Sequence, residues 1–148
     1  MKNSTSKSEL QKALQKLSKA TPTRSTIPIL SCVLIDAGEK GTTLRTTDLE
    51  ITITTTIESS IEEPGSAAIP LQTLSDITSE LPDDTRITIE VNDNNNVNII
   101  TDIGSYDLMG KPAEEFPATP EADQQVEAGL ETSILNEMIS SISFAVSR

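Results

Sequence analysis

Leu10, Ala13, Leu14 and Leu17 recur at three- and four-residue spacing, which gathers apolar side chains on one face of an α-helix. Ser6-Lys7-Ser8-Glu9 precedes them with capping-box spacing, so the Ser6 hydroxyl and the Glu9 carboxylate can satisfy orphan backbone N–H groups. Pro22 disfavours helix at Thr21 and predicts an end near Ala20. Three strands are predicted next. Ile29 to Ala37 is a mostly apolar run. Thr42 to Thr47 follows the turn signal Gly38-Glu39-Lys40-Gly41. Glu50 to Ser59 alternates, with Ile51, Ile53 and, after a threonine pair, Ile57. Threonine-rich alternation suits a sheet with one dry and one wet face.

Glu62-Glu63-Pro64-Gly65 reads as a break, after which the pattern starts again. Ser66 to Ile69 predicts a short strand. Pro70 suits a helix's first turn, and Leu71, Leu74, Ile77 and Leu81 form the apolar face of that helix. Pro82-Asp83-Asp84 stops it. Strands are predicted at Arg86 to Val91, Val97 to Thr101 and Ser105 to Met109, with Asn92 to Asn96 as a hairpin loop suited to left-handed backbone. Residues 1–61 and 63–110 therefore read as two copies of one unit, strand-helix-three strands. The first copy's opening strand is placed near Lys2 to Thr5. Each helix would pack on its own unit's sheet, giving one α+β domain.

The proline-rich run Pro112 to Pro120 leads out of this domain. Beyond it, Val126 to Leu130 predicts a strand. Thr132 can cap a helix striped by Ile134, Leu135, Met138, Ile139 and Ile142. The expected organisation is a first domain at 1–118, a linker at 119–124, and the first strand and helix of an incomplete second domain at 125–148. A strand and helix without a sheet to cover them point to a piece of a longer protein.

Charge changes the picture more than length does. The chain of 148 residues carries a net charge of −12. Residues 1–24 nevertheless hold Lys2, Lys7, Lys12, Lys16, Lys19 and Arg24 against Glu9 alone, a net +5. The remaining 5 basic and 22 acidic side chains give residues 25–148 a net −17. An acidic body with one basic end suits a surface that meets a polyanion. Without histidine, a conventional hydrolytic triad cannot be built. Cys32 is the one cysteine, so no internal disulfide forms. No apolar run is long enough to span a membrane, and residues 1–6 lack a signal-peptide core. The expected location is cytoplasmic.

Four segments, Arg24 to Leu30, Thr46 to Glu50, Tyr106 to Pro117 and Ser141 to Ser147, together resemble bacterial sliding clamps, the beta subunit of DNA polymerase III. The resemblance runs through nearly the whole chain in order. It implies a DNA-clamp fold of two strand-helix-three-strand repeats, helices on the inner face and sheet on the outer. It also implies a non-catalytic processivity factor of the replicative polymerase, acting near the nucleoid without metal or cofactor. Members carry three such domains per chain, and two chains close head to tail around duplex DNA. The resemblance places the cleft for the polymerase catalytic subunit and clamp loader mainly in the third domain, with help from the second, and implies roughly 220 further residues after residue 148.

Residue roles follow by position. Arg24 matches a position that approaches the DNA backbone, and guanidinium geometry suits phosphate. Lys12, Lys16 and Lys19 lie on a helix expected to face the hole, where they attract phosphates without reading sequence. The second helix offers Gln72, Thr73, Asp76 and Glu80 and adds no positive charge, so the DNA-facing charge is expected in residues 1–24. Tyr106 matches an aromatic position at the subunit interface, with Ile103 and Leu108 sharing that surface. Phe116 reads as a core plug held by Pro112 and Pro117, and Asp48 as a turn former.

Other chemistries fit less well. Asp93 to Asn96 lacks the glycine and terminal glutamate of a calcium loop. Glu62-Glu63, Asp83-Asp84 and Glu114-Glu115 sit at breaks, as solvated pairs do. A carboxylate-based metal-dependent enzyme would need several acids converging on one pocket, whereas these are scattered along turns. A secreted or adhesive β-rich interaction module fits the serine and threonine content. The capped basic helix and the missing signal segment count against it.

Overall fold

The computed structural model describes residues 1–22, 25–38, 41–118 and 129–146. Strand β1 (Lys2–Ser6) runs directly into helix α1 (Lys7–Leu17), which ends in a 3-10 turn at Ser18–Ala20. Then come β2 (Cys32–Gly38), β3 (Gly41–Thr47), β4 (Thr52–Ile57), β5 (Ser60–Glu63) and β6 (Gly65–Pro70). Helix α2 (Leu71–Glu80) leads to β7 (Arg86–Val91), β8 (Asn96–Thr101) and β9 (Gly104–Met109). A last helix, α3 (Thr132–Ser143), follows.

The strands form two antiparallel sheets, ordered β5-β1-β7-β8-β9 and β4-β3-β2-β6. The two repeats are present, but each one's first strand lies in the other's sheet. β1 pairs with β7 from Lys2↔Glu90 to Ser6↔Arg86, and β6 pairs with β2 from Cys32↔Pro70 to Ala37↔Gly65. The expectation that each unit completes its own sheet is thereby corrected. Because β1 and β6 pass into their helices without a loop, the exchange ties both halves into one core.

That core is continuous. Leu10, Leu14 and Leu17 of α1 and Leu71 and Leu74 of α2 pack with Val33, Ile35, Leu44, Ile69, Ile87, Ile89, Val97 and Ile99 of both sheets. Each such side chain contributes about 1.5–3 kcal/mol of burial. On the first sheet β1 is almost wholly polar yet buried at Asn3, Ser4 and Thr5. Hydrogen bonds offset much of the desolvation, while Asn3 Oδ1 is buried without a partner among the described residues. Asn3 Nδ2 donates to Thr42 Oγ1 at 3.2 Å, Ser4 and Thr88 hydroxyls lie 2.8 Å apart, and Thr5 Oγ1 donates to the Glu58 carbonyl at 2.7 Å. A second small cluster joins Phe116 to Ile29, Leu30, Cys32 and Ala68, as expected of a plug.

Several boundaries move. Pro28–Ser31 is a 3-10 turn, so β2 starts at Cys32 rather than Ile29. β4 starts at Thr52 because Asp48 holds a turn: its Oδ1 accepts from Glu50 N at 3.0 Å and Ile51 N at 2.6 Å, and Leu49 takes φ 81. Those backbone donors, Ile51 first, hold the Asp48 carboxyl below its ordinary range. The Glu62-Glu63 break is instead the end of β5, which covers the edge of β1. Gly65 (φ +152) then brings the chain past Met1, where an added Cβ would stand 3.0 Å from Met1 Cβ. The Ser6 cap forms, with its Oγ accepting from Glu9 N at 3.2 Å. In the predicted strand Val126 to Leu130, residues 126–128 lie outside the described residues, and Gly129 and Leu130 are not in a strand. Thr132 opens α3 rather than capping it; Glu131 takes the cap position without a side-chain bond. The predicted apolar stripe of α3 is exposed throughout. The predicted linker, 119–124, lies outside the described residues.

Candidate nucleic-acid interface

Helix α1 buries Leu10, Ala13, Leu14 and Leu17 and turns its opposite face to solvent. Lys12, Lys16 and Lys19 are all exposed. Lys12 Nζ stands 4.0 Å from Glu9, with 68% of its side chain accessible, and such a surface pair holds it only weakly. Among the described residues, Lys16 and Lys19 make no ion pair. Lys16 lies in the last turn, where the helix dipole favours a cation. The end of α1 is pinned from the sheet: buried Thr46 donates through Oγ1 to the Leu17 carbonyl at 2.9 Å, and Thr21 Oγ1 does so at 3.2 Å. The Thr46 bond fixes the Lys16–Lys19 turn against β3, and the Thr21 bond closes it locally. Arg24 lies outside the described residues.

Two of the six basic residues at this end of the chain are held in ion pairs by acids from elsewhere in the domain. Lys7 is buried, and its Nζ reaches Asp83 at 2.8 Å. Lys2 Nζ lies 3.1 Å from Glu62 and 2.8 Å from Glu90, bridging β5, β1 and β7. Glu90 and then Glu62 raise the Lys2 pKa, and the Lys7 hydrogen bond holds the Asp83 carboxyl below its ordinary range. Lys2 and Lys7 are therefore neutralised within the domain. The basic surface is narrower than residues 1–24 suggested. Their neutralising acids come from strands and turns far along the chain, which local pattern does not place.

Helix α2 packs against α1. Its exposed residues include Gln72, Thr73, Asp76 and Glu80, and Gln72 Nε2 donates to Asp76 Oδ1 at 2.7 Å. No basic residue lies on it.

At the far edge of the first sheet, β9 pairs only with β8 among the described strands. Tyr106 stands opposite Ile99 and Leu108 opposite Val97, so all four share the sheet face that carries the core. Leu108 is half-buried on that core, Tyr106 is 37% exposed and Ile103, in the β8–β9 turn, is 60% exposed. Tyr106 and Ile103 are accessible there, whereas Leu108 is mainly a packing residue. Exposed Ile100 and Met109, on the opposite face, escaped the sequence reading. Ile100 directly follows core residue Ile99, and that break in alternation was the available signal. Among the described residues, no three His, Cys, Asp or Glu side chains are grouped to hold a metal ion, and no helix is long and apolar enough to cross a membrane.

The family described as DNA polymerase III beta subunit, N-terminal domain, matches residues 1–120. The chain belongs to that family. It is 35% identical to a beta sliding clamp of Synechococcus elongatus over 141 residues, covering 94% of this chain and 37% of that protein. A beta sliding clamp sequence of Vibrio harveyi is 32% identical, covering 98% of this chain and 100% of that sequence. The fold is similar to the DNA polymerase sliding clamp of Bacillus subtilis, with a TM-score of 0.90 at 29% identity over 99% of this chain and 40% of that one. Caulobacter crescentus pol III beta gives 0.92 at 28% identity, with 99% and 40% covered. The chain thus spans about two fifths of the length of these solved relatives. The clamp fold, with paired helices over two antiparallel sheets, is the architecture expected from the resemblance.

Proposed function

We propose that residues 1–118 form the first domain of a DNA polymerase III sliding clamp, a non-catalytic processivity factor that encircles duplex DNA. Residues 119–124 link it to a second domain that begins at 125–148. Lys12, Lys16, Lys19 and Arg24 attract the phosphate backbone, while Tyr106 and Ile103, with Leu108 beneath them, meet a second clamp subunit head to tail. Further domains would engage the polymerase catalytic subunit and the clamp loader, in the cytoplasm at the nucleoid.

The observation that carries this reading is the exposed α1 lysine face on a chain of net charge −12. A surface cation row standing against an acidic body suits a weak, sequence-independent polyanion contact. It does not suit a catalytic pocket. The alternative of a carboxylate-based metal enzyme is not favoured, because its acids do not converge among the described residues.

The test is duplex binding by the 148-residue chain, followed by fluorescence anisotropy at several salt concentrations. With three to four phosphates neutralised, the slope of log K against log salt should be roughly −3. Affinity should then fall about 50-fold between about 50 and 200 mM salt. The variant Lys12→Glu/Lys16→Glu should bind more weakly and with a shallower slope. Sequence-specific binding, or binding that survives high salt, would count against the proposal.

A further inference from the structure

Helix α2 is the part of the helical face that the proposed DNA contact does not use. It lies beside α1 and exposes Asp76 and Glu80, one helical turn apart. Packed helices have axes about 8–10 Å apart, and the Debye length at physiological salt is about 8 Å. A polyanion resting on Lys12, Lys16 and Lys19 would therefore feel both carboxylates. Neither carboxylate has a cation within ion-pairing distance among the described residues, so neither charge is neutralised locally. The Gln72 amide that donates to Asp76 leaves its negative charge in place.

We infer that α2 is a repulsive wall on the inner face, with Asp76 and Glu80 setting how loosely duplex DNA is held. This rests on the proposed DNA contact at α1 and adds the residues that oppose it. One helix attracts and its neighbour repels, so the duplex is held from the α1 side alone. Like charges facing phosphate reduce both counterion release and affinity, which leaves a contact weak enough to slide.

The experiment compares three variants with the unmodified 148-residue chain, using anisotropy of a labelled duplex from about 50 to 200 mM salt. Asp76→Lys/Glu80→Lys should tighten binding about tenfold or more at the lowest salt and steepen the salt slope by about 1–2. Asp93→Lys/Asp102→Lys changes net charge equally, in exposed turns of the sheet, and should change affinity less than about twofold. Lys12→Glu/Lys16→Glu tests the underlying contact. Equal tightening by the two lysine-adding variants, or none by the α2 variant, would overturn the inference while leaving the α1 contact intact. If the α1 variant binds as well as the unmodified chain, the α1 contact itself fails and the inference falls with it. Circular dichroism checks that all three variants fold.

Discussion

The pin between β3 and the end of α1 is open to a quantitative test. Thr46 is fully buried, and its hydroxyl donates to the Leu17 carbonyl at 2.9 Å. Thr21 donates to the same oxygen at 3.2 Å from a partly buried position. Thr46→Val keeps the shape of the side chain and deletes that donor. A net hydrogen bond contributes about 0.5–1.5 kcal/mol, and Thr21 still satisfies the carbonyl, so the single change should cost about 1 kcal/mol. Thr21→Val, with the buried Thr46 bond kept, should cost about 0.5 kcal/mol. The double variant removes both hydroxyl donors from a carbonyl beside the core. The carbonyl then keeps only the Ala20 N–H that closes the 3-10 turn Ser18–Ala20, and the loss of both hydroxyl donors should cost about 2–3 kcal/mol. The predicted coupling is therefore at least about 0.5 kcal/mol. Urea unfolding followed by far-UV circular dichroism measures each value from the midpoint at constant m. A Thr46→Val cost of about 1 kcal/mol should lower Tm by about 4 °C. Strict additivity of the two changes, or no loss from Thr46→Val, would refute the idea that this carbonyl is held from both sides.

Two further outcomes follow from other contacts. Lys7 depresses the Asp83 pKa in the folded chain, so the pair's stabilisation is present above the unfolded carboxyl pKa of about 3.9 and lost as pH falls through the lower folded value. Asp83→Asn should therefore destabilise the protein at pH 7, and the gap between variant and parent should close in acid, as read from urea midpoints across that range. At Gly110, an added Cβ would meet the Asn95 carbonyl and Val97 Cγ2 at 3.0 Å and the Ala68 carbonyl at 3.2 Å; Gly110→Ala should cost about 1–3 kcal/mol by overpacking, measured by the same unfolding assay.

How much of this was legible in the sequence depends on the range over which each feature is decided. Helix α1, the Asp48 turn, the Asn92–Asn96 hairpin and β7 follow from periodicity and turn chemistry within about ten residues, and the sequence marks them closely. β1 carries little strand signal of its own because Asn3, Ser4 and Thr5 look like loop residues. They are strand residues because hydroxyl and carbonyl partners on β3, β7 and the segment after β4 meet them in the interior. β5 is not marked by local pattern for a related reason. Glu62 and Glu63 beside a proline and a glycine read as a break, but Lys2 gives Glu62 a partner across the ladder.

The sequence by itself determined the local elements, the twofold repeat of strand, helix and three strands, and the row of lysines opposite the apolar face of α1. Tertiary structure alone decided that the first strand of each repeat completes the other's sheet. It also decided which cations remain free. Lys7 finds Asp83 76 residues away, and Lys2 finds Glu62 and Glu90 on neighbouring strands. Periodicity fixes which face of a helix is dry, because that depends on residues three and four apart. Which charges stay unpaired on the wet surface depends on strand order, and only the packing of one common core over both helices sets that order.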